Sequence, residues 1–191
     1  MPHLVNLPTD YARLRKLERI SNCTWAFPQL RRFAYRYRLA KSFQRIEATG
    51  FGRSIDTYSA FTKLFLTYTA YEQLVPVANK LRVSGVSKID TNVIFNKRLA
   101  AQLRRNKKLA RHLTKSNLQY WLRKRIEDML NGTDDDIVCL AFGIRNLYAH
   151  GELTTTDILD RTVKQRAVLV DVADTLLDYC DKTFSGCMDK L

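Results

Sequence analysis

Glycine, proline and cysteine are scarce in this sequence, and each shortage excludes a class of protein. Seven glycines and four prolines among 191 residues exclude collagen-like and low-complexity chains. The four cysteines include no C-x-x-C pair, and only three histidines accompany them, so no metal site is expected. No run approaches the ~18 apolar residues of a membrane span, and the N-terminus has no hydrophobic signal core. We therefore expect a cytoplasmic protein with reduced thiols, no cofactor and no membrane partner.

Positive charge, by contrast, is abundant. The chain has 32 Lys and Arg against 19 Asp and Glu, which gives a net charge of +13. Residues 1–53 carry 11 bases and 3 acids, residues 54–132 carry 15 and 5, and residues 133–191 carry 6 and 11. A strongly basic chain favours polyanionic partners. The uneven distribution predicts a phosphate-binding surface within the first two blocks.

Apolar residues recur at helical spacing along most of the chain, which predicts an all-α antiparallel helical bundle. The break at Gly50 and Gly52 divides an N-terminal helical extension, residues 1–53, from the bundle, residues 54–191. Pro76 is expected to bend or end the third helix, and Gly132 to close the fifth. Helices are predicted over residues 9–20, 28–47, 54–79, 90–112, 115–130, 133–149 and 154–184.

The segment of residues 91–126 contains 11 bases and no acid. Folded as a helix, its first part places leucines on one side and bases on the other, which is also typical of a solvated face. Like charges one turn apart repel each other, however, and a nucleic-acid backbone would relieve that repulsion. A membrane surface would do so too, but the apolar side is typical of a core. The nucleic-acid-binding residues predicted here are Lys97, Arg98, Arg104, Arg105, Lys107, Lys108 and Arg111.

A second basic segment, residues 31–38, interleaves bases with aromatic residues. Phe33 and Tyr37 are one turn apart and are expected in the core. Tyr35 is the aromatic residue expected to stack on unpaired bases. Arg32, Tyr35 and Arg36 therefore complete the predicted nucleic-acid-binding set.

Polar residues end the otherwise apolar sixth helix. Arg145, Asn146 and His150 lie there, and such local conflicts are expected at functional sites. Asn146 and His150 are one turn apart on one face, and Arg145 lies on its flank. A structural interpretation is equally open, in which Arg145 neutralises a buried acid such as Glu72 and His150 caps the helix. Glu72 lies on the apolar side of the third helix, where it either reaches water or is paired.

The segment from Arg145 to His150 resembles the R-x4-H motif of the HEPN superfamily, and the aromatic helix ending in Tyr71 and Glu72 is similar to that family's first bundle helix. The resemblance covers residues 54–185. It implies a homodimer in which two motifs face each other across a cleft and cut RNA without a metal. His150 would then exchange a proton with a 2′-hydroxyl or a leaving oxygen, and Arg145 would hold the phosphate. Asn146 would orient His150 or the phosphate, and Glu72 would orient Arg145.

These observations predict a metal-independent endoribonuclease that acts by 2′-hydroxyl attack and leaves a 2′,3′-cyclic phosphate. The family association adds toxin–antitoxin or defence systems, with an antitoxin protein as partner. The alternative is a non-catalytic RNA- or DNA-binding bundle that uses the basic helix at residues 97–111. A third hypothesis is an interaction protein that uses the motif face only for dimerisation. In the homodimer, Gly143 is expected to let the partner helix approach closely.

Overall fold

A computed structural model describes residues 5–50, 52, 54–83, 101–105, 107–115, 118–133, 136–154 and 163–191, with the backbone alone at 108 and 163–165. These residues form helices packed as a bundle and no strand, so the predicted all-α bundle is confirmed. None of the helices in these ranges is long and apolar enough to cross a bilayer. The helices are α1 (Tyr11–Leu17), α2 (Phe27–Ser42), α3 (Ser54–Lys80), α4 (Lys107–Lys115), α5 (Tyr120–Asn131), α6 (Ile137–Ala149) and α7 (Val163–Lys190), and residues 101–105 are also helical.

Two helix boundaries follow the local signals in the sequence. Helix α5 is closed by Gly132, whose φ of 81° is the left-handed conformation that glycine adopts without strain. Helix α6 begins after Asp136, whose side chain accepts a hydrogen bond of 2.9 Å from the backbone N–H of Val138. The cap predicted at Gly132 is thus confirmed, whereas the sixth helix begins at Ile137 instead of the predicted residue 133.

Other predicted boundaries are wrong; the last helix, for example, runs to Lys190 instead of ending at residue 184. Helix α2 ends at Ser42 instead of residue 47, because Phe43 is extended and Ile46 N–H donates to the Ser59 hydroxyl at 3.0 Å. Helix α5 begins at Tyr120 instead of residue 115, because Gln119 is extended. In both places the chain leaves the helical conformation although no glycine or proline marks the position.

Pro76 does not end the third helix. Helix α3 continues past it to Lys80, although a proline contributes no backbone N–H to the helix. The predicted helical segment at residues 90–100 lies outside the described residues. The start of the last predicted helix, at residues 155–162, does so as well.

The chain divides by its contacts into two compact units, of which the first comprises Met1–Phe43, Phe65–Lys88 and Asp174–Leu191. Its core includes Phe33, whose ring lies 5.3 Å from that of Phe184 in α7. N-terminal residues therefore share a core with part of α7. The boundary predicted at residue 53, between an N-terminal extension and the bundle, stays a prediction.

The second unit comprises Gln44–Leu64 and Ile89–Ala173. Within it α4 packs on α5, and α5 packs on α6. The close approach expected at Gly143 is made by the same chain, because a Cβ added there would lie 2.7 Å from Ile126 Cδ1. The expectation of a partner helix at Gly143 is therefore wrong: α5 occupies that space.

Candidate functional site

Helix α6 is buried on most of its circumference and open along one stripe. Its buried residues include Leu140, Ile144 and Leu147, each at most 3% exposed. Five of its six partly or fully exposed residues, all except Tyr148, share one side at helical spacing, and we call them the open stripe. The open stripe consists of Val138, Phe142, Arg145, Asn146 and Ala149.

The C-terminal end of α6 has a fixed backbone geometry. Gly151 adopts a φ of 72°, and the N–H of Glu152 donates to the carbonyl of Leu147 at 2.9 Å. These two features form a Schellman motif, which ends the helix directly after its C-cap residue, His150. The His150 N–H donates to the Asn146 carbonyl at 3.0 Å. The histidine backbone is thus held at the helix end while its side chain is exposed.

Tyr148, in the middle of the motif, anchors this helix end to α3. Its ring stacks on Phe61 with the centroids 5.0 Å apart, and its hydroxyl lies 3.2 Å from the hydroxyl of Thr62. Such a stacked aromatic pair adds roughly 0.5–1.5 kcal/mol beyond its buried area. The tyrosine therefore positions the end of α6 that carries the motif.

The structure brings Arg145, Asn146 and His150 together at this end of α6. Arg145 Nη1 donates to Asn146 Oδ1 at 2.8 Å, and both side chains are half-buried. His150 lies one turn beyond Asn146 and is exposed. The guanidinium and the amide are thus hydrogen-bonded to each other one turn before an exposed imidazole, and these are groups that can bind a phosphate and exchange a proton.

Glu72 is exposed on α3, in the first unit. Of the two interpretations drawn from the sequence, the exposed position agrees with a glutamate that reaches water. Its predicted role in orienting Arg145 stays a prediction.

The start of α6 contains a cluster that the sequence analysis did not identify. The carboxylate of Asp136, only 5% exposed, accepts from Arg125 Nη1 at 3.0 Å and from the thiol of Cys139 at 3.2 Å. Together with the hydrogen bond from the Val138 N–H, these contacts fix where α6 begins and tie it to α5. The signal in the sequence was the acidic helix start, but nothing there indicated Arg125 as a partner.

The described part of the basic helix has the predicted two-sided distribution. Leu103, Leu109 and Leu113 are fully buried. Four bases, Arg104, Arg105, Lys107 and Arg111, are exposed, and we call them the basic face. Of the other predicted residues, Lys97 and Arg98 lie outside the described residues, as does the side chain of Lys108.

The basic segment of α2 also has the expected distribution of burial. Phe33 and Tyr37 are fully buried, whereas Tyr35 is 60% exposed. Arg32 and Arg36 are exposed, and Arg36 Nη1 donates to the Thr69 carbonyl at 3.3 Å. These residues belong to the first unit, so each unit has its own exposed basic surface.

An exposed aromatic pair at the start of α5 was missed. Tyr120 is 73% and Trp121 is 48% exposed, and the Trp121 ring stacks on Phe142 of the open stripe. The sequence places both residues in the acid-free segment, but it does not indicate that they are exposed.

Among the described residues, no group of three or more His, Cys, Asp or Glu side chains could hold a metal ion. The chain matches no protein-family model, no curated protein and no solved structure. Support for a function therefore comes from the sequence motif and from this geometry.

Proposed function

We propose that this chain is a metal-independent endoribonuclease of HEPN type, with a composite site built from two copies. The observation that carries the proposal is the exposed His150 at the end of a buried helix, beside the hydrogen-bonded pair Arg145 and Asn146. The Schellman motif holds the backbone under His150, and Tyr148 holds the helix under all three residues. Such support from packed neighbours is what a catalytic group needs to keep its geometry.

The reaction requires one proton acceptor and one proton donor. The 2′-oxygen attacks the adjacent phosphorus, the bond from phosphorus to the 5′-oxygen breaks, and a 2′,3′-cyclic phosphate and a 5′-hydroxyl form. The imidazole of one His150 accepts the 2′-hydroxyl proton, and the second copy's His150 donates a proton to the leaving oxygen. Arg145 binds the phosphate oxygens and stabilises their increased charge. A homodimer is therefore part of the proposal, because each motif supplies a single histidine.

The test is cleavage of single-stranded RNA in the presence of EDTA. We expect products that end in a 2′,3′-cyclic phosphate, identified by mass spectrometry. General acid–base groups contribute roughly 100- to 10,000-fold to a rate, so His150→Ala should lower cleavage at least about 100-fold. The matched control is His112→Ala on α4, which should cut like the parent protein. Undiminished cutting by His150→Ala, with folding and sedimentation unchanged, would sink the proposal.

The second candidate function is a non-catalytic RNA- or DNA-binding bundle. The observation that favours it is the basic face, whose four bases are exposed while the leucines of residues 103–113 are buried. Binding to single strands should then weaken with salt, with a logarithmic slope of about 0.7 for each phosphate contacted. Steep salt dependence without any product would favour this function over cleavage.

The wider setting of the first proposal is a toxin–antitoxin or defence system, in which an antitoxin protein would restrain the nuclease. Co-expression measures this part separately. Growth arrest by the parent protein and normal growth with His150→Ala are the expected results, because only the former would cut cellular RNA.

A further inference from the structure

The exposed aromatic residues at the start of α5 adjoin the candidate site through α6. The rings of Trp121 and Phe142 have centroids 6.2 Å apart and planes inclined by 23°. Phe142 is one turn from Asn146 and two turns from His150, and a turn of helix rises about 5.4 Å. All of these residues belong to the second unit, and Phe142 lies on the same side of α6 as Asn146, so the aromatic rings adjoin the polar helix end.

The side chains of Tyr120 and Trp121 are unusually exposed to solvent. They lie 73% and 48% exposed, although burying such a ring normally contributes about 1.5–3 kcal/mol. The Trp121 indole N–H is occupied by Gln119 Oε1, so the indole is held in place while its surface stays accessible. A ring held this way can stack on a flat ligand without first being ordered.

The charge around these rings decides between two binding partners, a second copy of the chain and a single-stranded nucleic acid. Arg123 lies 5.9 Å from the centre of the Tyr120 ring, and residues 91–126 contain no acid. A second copy docked ring to ring would bring two positively charged surfaces together. A single-stranded nucleic acid supplies both a negative backbone and flat bases, so it fits the charge as well as the rings.

We propose that Tyr120, Trp121 and Phe142 form a stacking platform for unpaired nucleotides of the RNA bound at the end of α6. We call these three residues the aromatic platform. Every base has a π-face, so the platform distinguishes unpaired from paired nucleotides, whose faces are already covered. The inference deepens the proposed function, on which its choice of RNA rests, and it assigns that site a preference for single strands.

The experiment uses Trp25→Phe, which leaves Trp121 as the single tryptophan and thus as a specific fluorescence probe. The ligands are a single-stranded RNA 12-mer, the same 12-mer annealed to its complement, and a 12-mer with abasic central positions. We expect strong quenching by the first and weak quenching by the other two. Equal quenching by the intact and the abasic strands would overturn the proposal, because only phosphates would then be recognised.

Affinity is then compared between Trp121→Ala and Trp121→Phe, each in the otherwise unchanged chain. Stacking is worth about 1–3 kcal/mol per base, so Trp121→Ala should bind the intact strand roughly five- to a hundredfold more weakly. Trp121→Phe keeps a flat ring and should lose much less. Thermal unfolding of both variants distinguishes weaker stacking from a damaged fold. If both are destabilised, Tyr120→Ala and Tyr120→Phe give the same comparison.

Sedimentation of the same variants tests whether a second copy of the chain, instead of RNA, covers the rings. If Trp121→Ala turns a dimer into a monomer, the rings are an interface between copies and the platform proposal fails. The platform and the nuclease can also fail separately. Loss of binding in Trp121→Ala, with no product from the parent protein, would support the platform and sink the cleavage proposal.

Discussion

Asp136 is the residue whose contacts do most to define the candidate site, although it lies at the opposite end of α6 from His150. Its carboxylate accepts from a backbone N–H, a guanidinium and a thiol while almost fully buried. A buried carboxylate is tolerated when several donors meet it. These contacts also set the direction in which α6 leaves α5.

We predict that Asp136→Ala lowers the free energy of unfolding by about 1–3 kcal/mol, through loss of the N-cap and of the acceptor for Arg125. Asp136→Asn keeps an oxygen for the cap and should lose less. The matched control is Asp128→Ala, since Asp128 forms a surface ion pair with Lys124 at 3.0 Å and such pairs contribute little. Urea unfolding measures all three. An Asp136→Ala as stable as the control would contradict the role assigned to the cap.

Two buried thiols predict how stability depends on alkaline pH. Burial raises the pKa of Cys180 above its usual range and raises that of Cys187 to about 12. An unfolded cysteine has a pKa of about 8.5, so above that pH the unfolded chain has lost protons that the folded chain retains. The free energy of unfolding should therefore fall as the pH rises from about 8.5 towards 12, by up to about 1 kcal/mol per pH unit for each thiol.

The measurement is urea unfolding under reducing conditions at pH 8, 9 and 10. Cys187→Ala should show a shallower decline than the parent protein, whatever its stability at pH 8. Cys23→Ala is the control, because Cys23 is only partly buried and should leave the slope unchanged. A decline of equal steepness in the two variants would show that buried thiols do not set the pH dependence.

At the scale of elements, the sequence predicted those helix boundaries that are set by a residue at the boundary itself. Gly132 and Asp136 ended and began helices as their residue types indicate. The C-terminal end of α2 at Ser42 and the start of α5 at Tyr120 were predicted at the wrong residues, because neither position has a residue that disfavours a helix. The hydrogen bond from Ile46 to Ser59 shows why: a contact with another element determines where the chain leaves α2.

The candidate site, like the helix boundaries, could be predicted only in part. Arg145, Asn146 and His150 were found because their polarity conflicts with the apolar helix around them. Trp121 was not, since an aromatic residue in a sequence gives the same signal whether it is buried or exposed. Exposure is decided by the packing of α5 against α6, which the sequence of either helix alone does not contain.

The basic face carries a prediction of its own. Charge reversal by Arg105→Glu and Lys107→Glu should weaken binding to single-stranded RNA of every sequence and lower the logarithmic salt slope by about 0.7 for each phosphate that the variant no longer neutralises. Both side chains are exposed, so folding should be unaffected. Lys190→Glu makes the same charge change at the end of α7 as either single reversal does, and it serves as the control for each. An equal loss of binding in the control would mean that net charge, and not this face, governs affinity.

At the scale of the whole molecule, the division of the chain by contacts differs from its division by sequence. Residues 1–43 belong to the same unit as the end of α7, and Phe33 packs against Phe184 in that unit. The +13 charge is also partitioned, since an exposed basic surface lies in each unit while the candidate chemistry lies in the acidic C-terminal block. In the proposed function, this charge would gather and position the polyanion, separately from the residues proposed to react with it.

Phe33→Ala tests how far the N-terminal residues support the rest of the chain. Removing a fully buried ring costs about 3–5 kcal/mol, and here the loss should reach α7 through Phe184. Tyr35→Ala, which removes a 60% exposed ring from the same helix, is the control and should change stability little. Hydrogen exchange gives the readout, with faster exchange expected in residues 174–190 only for Phe33→Ala. Unchanged exchange there would mean that residues 1–53 are a detachable extension.

The hydrogen bond between Arg145 and Asn146 has one more consequence. Because Asn146 Oδ1 accepts from Arg145, most of the hydrogen-bonding capacity that the amide has left lies in its NH2 donors, and a guanidinium has no acceptor at all. The pair therefore offers mostly donors, which suits an oxygen-rich group such as a phosphodiester better than a ligand that must itself donate. Asn146→Asp would replace the amide NH2 group, a donor, by a second carboxylate oxygen, an acceptor. Arg145 would then form an ion pair with the new carboxylate, and the other carboxylate oxygen would face the phosphate.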